Sequence, residues 1–202
     1  MAVGLSGVYG EREADAMLLF SPRRRSEREE AARIYAAVLT AARRPALYRD
    51  FGVPDTLDGR FEMIAMHLFA LLNRLMHDPG DDPELARRIS ESFVDDMDAA
   101  FREMGVSDTA VPKRMKTLYR SFAGRITAYA RALGEGDDAL AAAVARNVFP
   151  DGDEGGLSRA RSLATYLTAT VAALRDADLA AIRAGAVTFP DLDMRARQEV
   201  NG

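Results

Sequence analysis

Few residues in this chain have the type and spacing that chemistry requires. His67 is one of two histidines, and its helical neighbours three and four positions away are Met63, Ile64, Ala70 and Leu71. None is a carboxylate or a second imidazole, so neither a zinc-binding histidine pair nor a Glu-x-x-His di-iron motif is present. A lone imidazole could ligate a haem iron, but a histidine hydrogen-bonded inside the core is the stronger reading. Glu91, Asp95 and Asp98 form an acidic stripe. With Arg88 and Arg102 at helical spacing from Glu91 and Asp98, the stripe reads as an ion-paired, solvated face. The run Asp151-Gly152-Asp153-Glu154-Gly155-Gly156 imitates the start of a calcium loop. Its fifth position is Gly155 and its twelfth is Ser162, where a bidentate glutamate is needed, so no calcium site is expected. Gly134-x-Gly136 follows a helix rather than a strand, and Ser6 lacks the strand–turn–helix setting of a nucleophile elbow. No catalytic residue, metal site or cofactor is predicted.

Binding is the remaining possibility. Between Val111 and Gly134 there is no acidic residue, while Lys113, Arg114, Lys116, Arg120, Arg125 and Arg131 are basic. On a helix, positions 113, 116, 120 and 131 fall on one side and Met115, Phe122, Ile126 and Tyr129 on the other. The alternative is a solvated face paired with the acidic stripe. Lys113 and Lys116 are the chain's two lysines among 27 basic residues, and net charge is −4 with pI near 5.3. That balance excludes a general nucleic-acid binder and gives no reason to expect DNA as a partner. The arginine-rich, alanine-rich composition fits a GC-rich bacterial genome.

The elements that must position these residues are helical. There is no cysteine, hence no disulfide, zinc–thiolate or iron–sulfur site. Hydrophobic residues make up 48% of 202 residues, enough for one packed domain. The most apolar stretch, Phe61 to Met76, has twelve apolar residues in sixteen and carries Glu62, His67, Asn73 and Arg74. It is too short and too polar to span a bilayer. The N-terminus has neither a secretory signal nor the acid-poor pattern of a transit peptide, so a cytoplasmic protein is expected, at most peripheral to the inner membrane.

Ser26-x-x-Glu29 is a capping box, which predicts a first helix from Ser26 and a mobile arm over 1–25. Asp55 or Thr56 is placed to cap a central helix ending near residue 77, whose apolar residues run almost all the way round. Asp82-Pro83 opens the next helix, with Leu85, Ile89, Phe93, Met97, Phe101 and Met104 on one face. Gly105 closes it. Further helices are predicted from about Pro112 to Gly134 and over Ala139 to Val148, with a last helix or helix pair from a Ser158 cap to Ala184. The fold expected is an all-α, single-domain bundle of six or seven helices over 26–185, with an irregular tail over 186–202.

Four segments then resemble one family. They are Gly52-Val53-Pro54-Asp55-Thr56-x-Asp58-Gly59-Arg60-Phe61-Glu62 with His67-Leu68; Asp95-Asp96-Met97-Asp98 through Arg102-Glu103-Met104-Gly105-Val106; Val111-Pro112-Lys113-Arg114-Met115-Lys116; and Phe122-x-Gly124-Arg125-x-x-Ala128-Tyr129. In order and spacing they resemble the ubiquinol–cytochrome c chaperone family over about residues 31–149. The resemblance implies a non-catalytic assembly factor for ubiquinol–cytochrome c reductase, respiratory complex III. It implies newly made cytochrome b as client. The mitochondrial members associate with the ribosome and work with a small partner protein. The lack of a transit peptide fits a bacterial homologue.

The motif positions Asp55, Thr56, Asp58, Arg60, Glu62, Arg102, Glu103, Lys113, Arg114, Lys116, Arg125 and Tyr129, with Arg120 of the basic stripe, are the candidate partner-binding residues. The basic face over 112–131 would suit a ribosome or an anionic membrane surface. Met63, Met66, Met76, Met97, Met104 and Met115 either fill the core or supply an adaptable apolar groove. The alternative function class is a helical enzyme with a buried site around Glu62, His67 and Asp95.

Overall fold

The computed structural model describes residues 22–77, 81–152 and 155–192. The helices are α1 (Pro22–Ala42), α2 (Pro45–Arg49), α3 (Leu57–His77), α4 (Pro83–Glu103), α5 (Val111–Glu135), α6 (Asp137–Val148), α7 (Gly156–Arg175) and α8 (Leu179–Arg183). Six are long and two are single turns, and no strand occurs among the described residues. This is the predicted all-α bundle. Most of the predicted arm, the Asp78-Pro79-Gly80 break, Asp153-Glu154 of the calcium-loop imitation and the last ten residues of the predicted tail lie outside the described residues.

α3 is the hub. From Glu62 to Leu75 every residue except Asn73 is buried, so the all-round apolar pattern places it where every face meets a neighbour. It packs on α1, α4, α5, α6 and α7; these run side by side around it, with α8 against α1. Phe93 of α4 is the meeting point of one end. Its ring lies 4.7 Å from Phe122 of α5, 6.4 Å from Phe61 of α3 and 6.4 Å from Tyr35 of α1. Tilted and edge-on rings at these separations add to burial.

Several ends differ from expectation. α1 begins at Pro22, so the Ser26 box is inside the helix. Proline suits the first helical position, and Arg23–Glu27 and Arg25–Glu29 pairs at 3.0 Å support the first turns. α7 begins at Gly156, not at Ser158. Its cap residue Gly155 has φ +94° and no side-chain cap bond is made, so the start is set by backbone conformation. Residues 186–192 form no regular element, and Val187, Phe189 and Leu192 pack on the core. Asp82 does cap α4, accepting from the Leu85 amide at 3.0 Å.

Candidate functional site

The segment before α3 is built around one tight contact. Thr56, rather than Asp55, caps the helix: its Oγ1 accepts from the Gly59 amide at 3.1 Å. Asp55 instead pairs with Arg60 at 2.8 Å on the surface. A Cβ at Gly59 would overlap the Pro54 carbonyl oxygen, so the close backbone approach expected from a glycine in the first turn is present. Asp58 and Arg60 are exposed.

One turn on, Glu62 points inward. Its carboxylate takes the Arg125 guanidinium at 2.6 and 2.9 Å on Oε1 and 3.2 Å on Oε2, and the guanidinium also lies over the Phe61 ring at 5.6 Å. Burial pushes the Glu62 carboxyl up and Arg125 opposes that shift. Tyr129, one turn beyond Arg125, is wholly buried against Phe69. Glu62, Arg125 and Tyr129 are therefore joints between α3 and α5, and Glu62 and Tyr129 offer no surface to a partner.

His67 is 1% exposed. Its Nδ1 lies 2.7 Å from the Met63 carbonyl oxygen and must carry the proton; its Nε2, 2.9 Å from the Tyr166 hydroxyl, accepts. The Tyr166 oxygen in turn accepts from Arg44, which also donates to the Pro190 carbonyl at 2.7 Å. The Phe189 ring closes over the imidazole at 5.2 Å, edge-on. Burial holds the imidazole down at about 4, so it is neutral. This is the core histidine expected, but Arg44, Tyr166 and Phe189 have no motif that foretold them. Asp95 lies on the exposed side of α4, by a shallow hollow between α1 and α4. Glu62, His67 and Asp95 thus belong to three separate arrangements, and no group of three or more metal-ligating side chains occurs among the described residues.

Two of the three acids of the stripe are paired within α4. Glu91 bonds Arg87, where Arg88 was expected, and Asp98 bonds Arg102 at 2.6 Å. Arg88 reaches Glu84 and, across on α1, Glu27. Arg102 also holds Asp108, and Glu103 is exposed. Opposite, Lys113, Arg114, Lys116 and Arg120 are exposed on the first turns of α5. The Arg114 guanidinium lies 6.0 Å over the Phe101 ring, and Arg131 pairs with Glu135 at 2.7 Å.

Of the methionines, Met63 and Met66 are core, Met97 and Met115 half-buried, and Met76 and Met104 about half exposed. A separate open groove of about 730 Å³ lies between α6, α7 and residues 190–192, lined by Phe51, Leu157, Tyr166 and Leu192 with Asp137, Asp138 and Arg161 at its polar side.

A family model described as ubiquinol-cytochrome C chaperone matches residues 49–189. The chain belongs to the ubiquinol–cytochrome c chaperone family. The crystal structure of the Cbp3 homolog from Brucella abortus is 36% identical, with a TM-score of 0.75 over 89% of this chain and 98% of that one. No curated protein matches the chain significantly. The family match runs from the end of α2 to Phe189, the residue that closes over His67. Within this chaperone-family domain, Gly59, Glu62, His67, Arg125 and Tyr129 belong to the motifs and all make contacts inside the fold, with Arg125 still partly exposed. The exposed candidates left are Asp55, Thr56, Asp58, Arg60, Arg102, Glu103, Lys113, Arg114, Lys116 and Arg120.

Proposed function

We propose that this protein is a non-catalytic assembly chaperone for ubiquinol–cytochrome c reductase, with newly made cytochrome b as its client. The family match over residues 49–189 carries the reading. Its physical support is a rigid helical frame with exposed apolar side chains at its ends. Met104 is 49% exposed, and Leu57 and Tyr119 are more open still. Flexible thioethers and amphipathic rings suit an apolar client with no single fixed shape. No helix among the described residues is long and apolar enough to cross a membrane. In this reading the client is met at the membrane surface, on the cytoplasmic side. A small partner protein belongs to the same proposal.

Deleting the gene in a respiring bacterium that carries it tests the reading. Cytochrome b and complex III activity should be lost while soluble pathways stay intact, and crosslinks from the chain should run to cytochrome b. Normal complex III in the deletion strain would sink the proposal. A soluble metabolic defect instead would favour the enzyme alternative.

A further inference from the structure

The fully buried positions of α4 stop at Phe93 and those of α5 resume at Phe122. Between residues 94 and 121 Val111 alone is buried. The end of the α4–α5 hairpin is thus built differently from the rest of the bundle. Val94, Met97 and Leu118 still touch the core, whereas Phe101 and Met115 are half-buried outside that cluster. Met104 and Tyr119 are 49% and 59% exposed. Lys113, Lys116 and Arg120 share one exposed stripe of α5, and their side chains make no ion pair among the described residues. The acids of α4 do not neutralise them, since Glu91 and Asp98 are held by α4's own arginines. Asp95 and Glu103 are exposed on the α4 side. The hairpin end therefore carries opposite charge on its two outer faces in a protein of net charge −4.

We propose that the α5 side of this hairpin end docks on an anionic phospholipid surface, with Lys113, Lys116 and Arg120 at the headgroup phosphates and Tyr119, on the same helix within three positions of Lys116 and Arg120, reaching toward the acyl boundary. A bilayer surface offers a layer of negative charge above an apolar layer, and the patch offers the complement of both. Tyrosine is favoured at that boundary, and lysine and arginine stems lie along it while their heads stay with the phosphates. An RNA would satisfy the cations, but RNA sites lean on several stacked aromatic rings, and here one exposed tyrosine is available. The acidic α4 face would be repelled by the same surface, so docking is oriented, with α5 toward the lipid. This adds a membrane partner to the chaperone reading and stands or falls independently of the client's identity.

The full chain is tested by co-flotation with vesicles of phosphatidylcholine alone and of phosphatidylcholine with phosphatidylglycerol. Binding is expected to the anionic vesicles only, to weaken as salt is raised, and to fall about a hundredfold in the Lys113→Gln, Lys116→Gln, Arg120→Gln variant. A second readout avoids charge changes. The chain has no tryptophan, so Tyr119→Trp provides a single indole, whose emission should shift to the blue with anionic vesicles. Absent or equal binding to the two vesicle types, full binding by the triple variant, an unmoved Tyr119→Trp emission, or binding to homopolymer RNA without binding to vesicles would each overturn the proposal.

Discussion

Glu62 and Arg125 lie 63 residues apart in the chain and 2.6 Å apart in the fold. The glutamate side chain is 4% exposed and the arginine side chain 26%, so the pair is buried on the acidic side and vented on the basic side. Such a pair is weak evidence of net stabilisation, because each ion has lost water. Removing one member is another matter. Arg125→Ala should cost about 3 kcal/mol, since it strands a buried carboxyl group. Arg125→Lys should recover only part, because an ammonium cannot span both carboxylate oxygens as the guanidinium fork does. The double change Glu62→Leu with Arg125→Met should return most of the loss. Urea midpoints of the variants measure this, and a single variant as stable as the double would show that Arg125 is not a joint. Met side chains divide at the same scale. The core reading holds for Met63 and Met66, which are wholly buried, while Met76 and Met104 are about half exposed and line neither the groove between α6 and α7 nor the hollow between α1 and α4.

At the scale of elements, the entry to α3 makes the sharpest prediction. Glycine inside a helix ordinarily costs about 1 kcal/mol against alanine, so Gly→Ala there usually stabilises. At Gly59 the sign should reverse. An alanine Cβ would meet the Pro54 carbonyl, a backbone atom that cannot swing away, and the Thr56 cap would be strained with it. Gly59→Ala is expected to destabilise by about 1–3 kcal/mol. A higher melting temperature for that variant would refute the close-packing account. That contact was legible beforehand because glycine in a first turn needs a reason. So were the Asp82 cap and the four-residue apolar rhythm of α4 and α5. The start of α7 was not legible, because Gly155 caps through a left-handed backbone rather than a side chain. The packing of 186–192 was hidden for a related reason: Val187, Phe189 and Leu192 follow neither a helical nor a strand period. For the candidate surface, the basic stripe could be read from spacing, but its lack of partners could not, since that depends on which arginines α4 keeps for its own acids. Tyr129 and Glu62 were read as motif residues and then as candidate partner contacts, and both are buried. Residue type alone cannot say whether a motif serves the fold or a partner.

At the scale of the whole molecule, one buried polar chain joins segments that no local rule connects. Arg44 follows α1, Tyr166 lies 122 residues later on α7, Pro190 and Phe189 lie beyond α8, and His67 sits in the hub. Arg44 donates to the Tyr166 oxygen, the Tyr166 hydroxyl donates to His67 Nε2, and His67 Nδ1–H donates to the Met63 carbonyl. Every donor has an acceptor only while the imidazole is neutral. A proton on Nε2 would face the tyrosine hydroxyl's own proton and sit near the Arg44 charge, in a buried site. The folded state therefore refuses a proton until about pH 4, whereas the unfolded chain takes one near the ordinary histidine value of 6.5. Between those values the unfolded state binds more protons, so His67 makes stability fall as the pH drops from 6.5 toward 4 and has no further effect below that. The loss amounts to about 3 kcal/mol at full extent. Glu62 acts with the opposite sign, because its raised folded value lets the fold take a proton before the unfolded chain does. The wild-type slope is thus a net quantity, and the difference between wild type and His67→Gln isolates the imidazole. Glutamine presents a donor and an acceptor but does not titrate, so it has no reason to lose stability in this window. Urea unfolding at pH 7 and at pH 4 should show the stability advantage of wild type over His67→Gln shrinking by about 3 kcal/mol. A difference that stays constant across that range would mean the buried imidazole is protonated without penalty and that the Arg44–Tyr166–His67 chain is not directional.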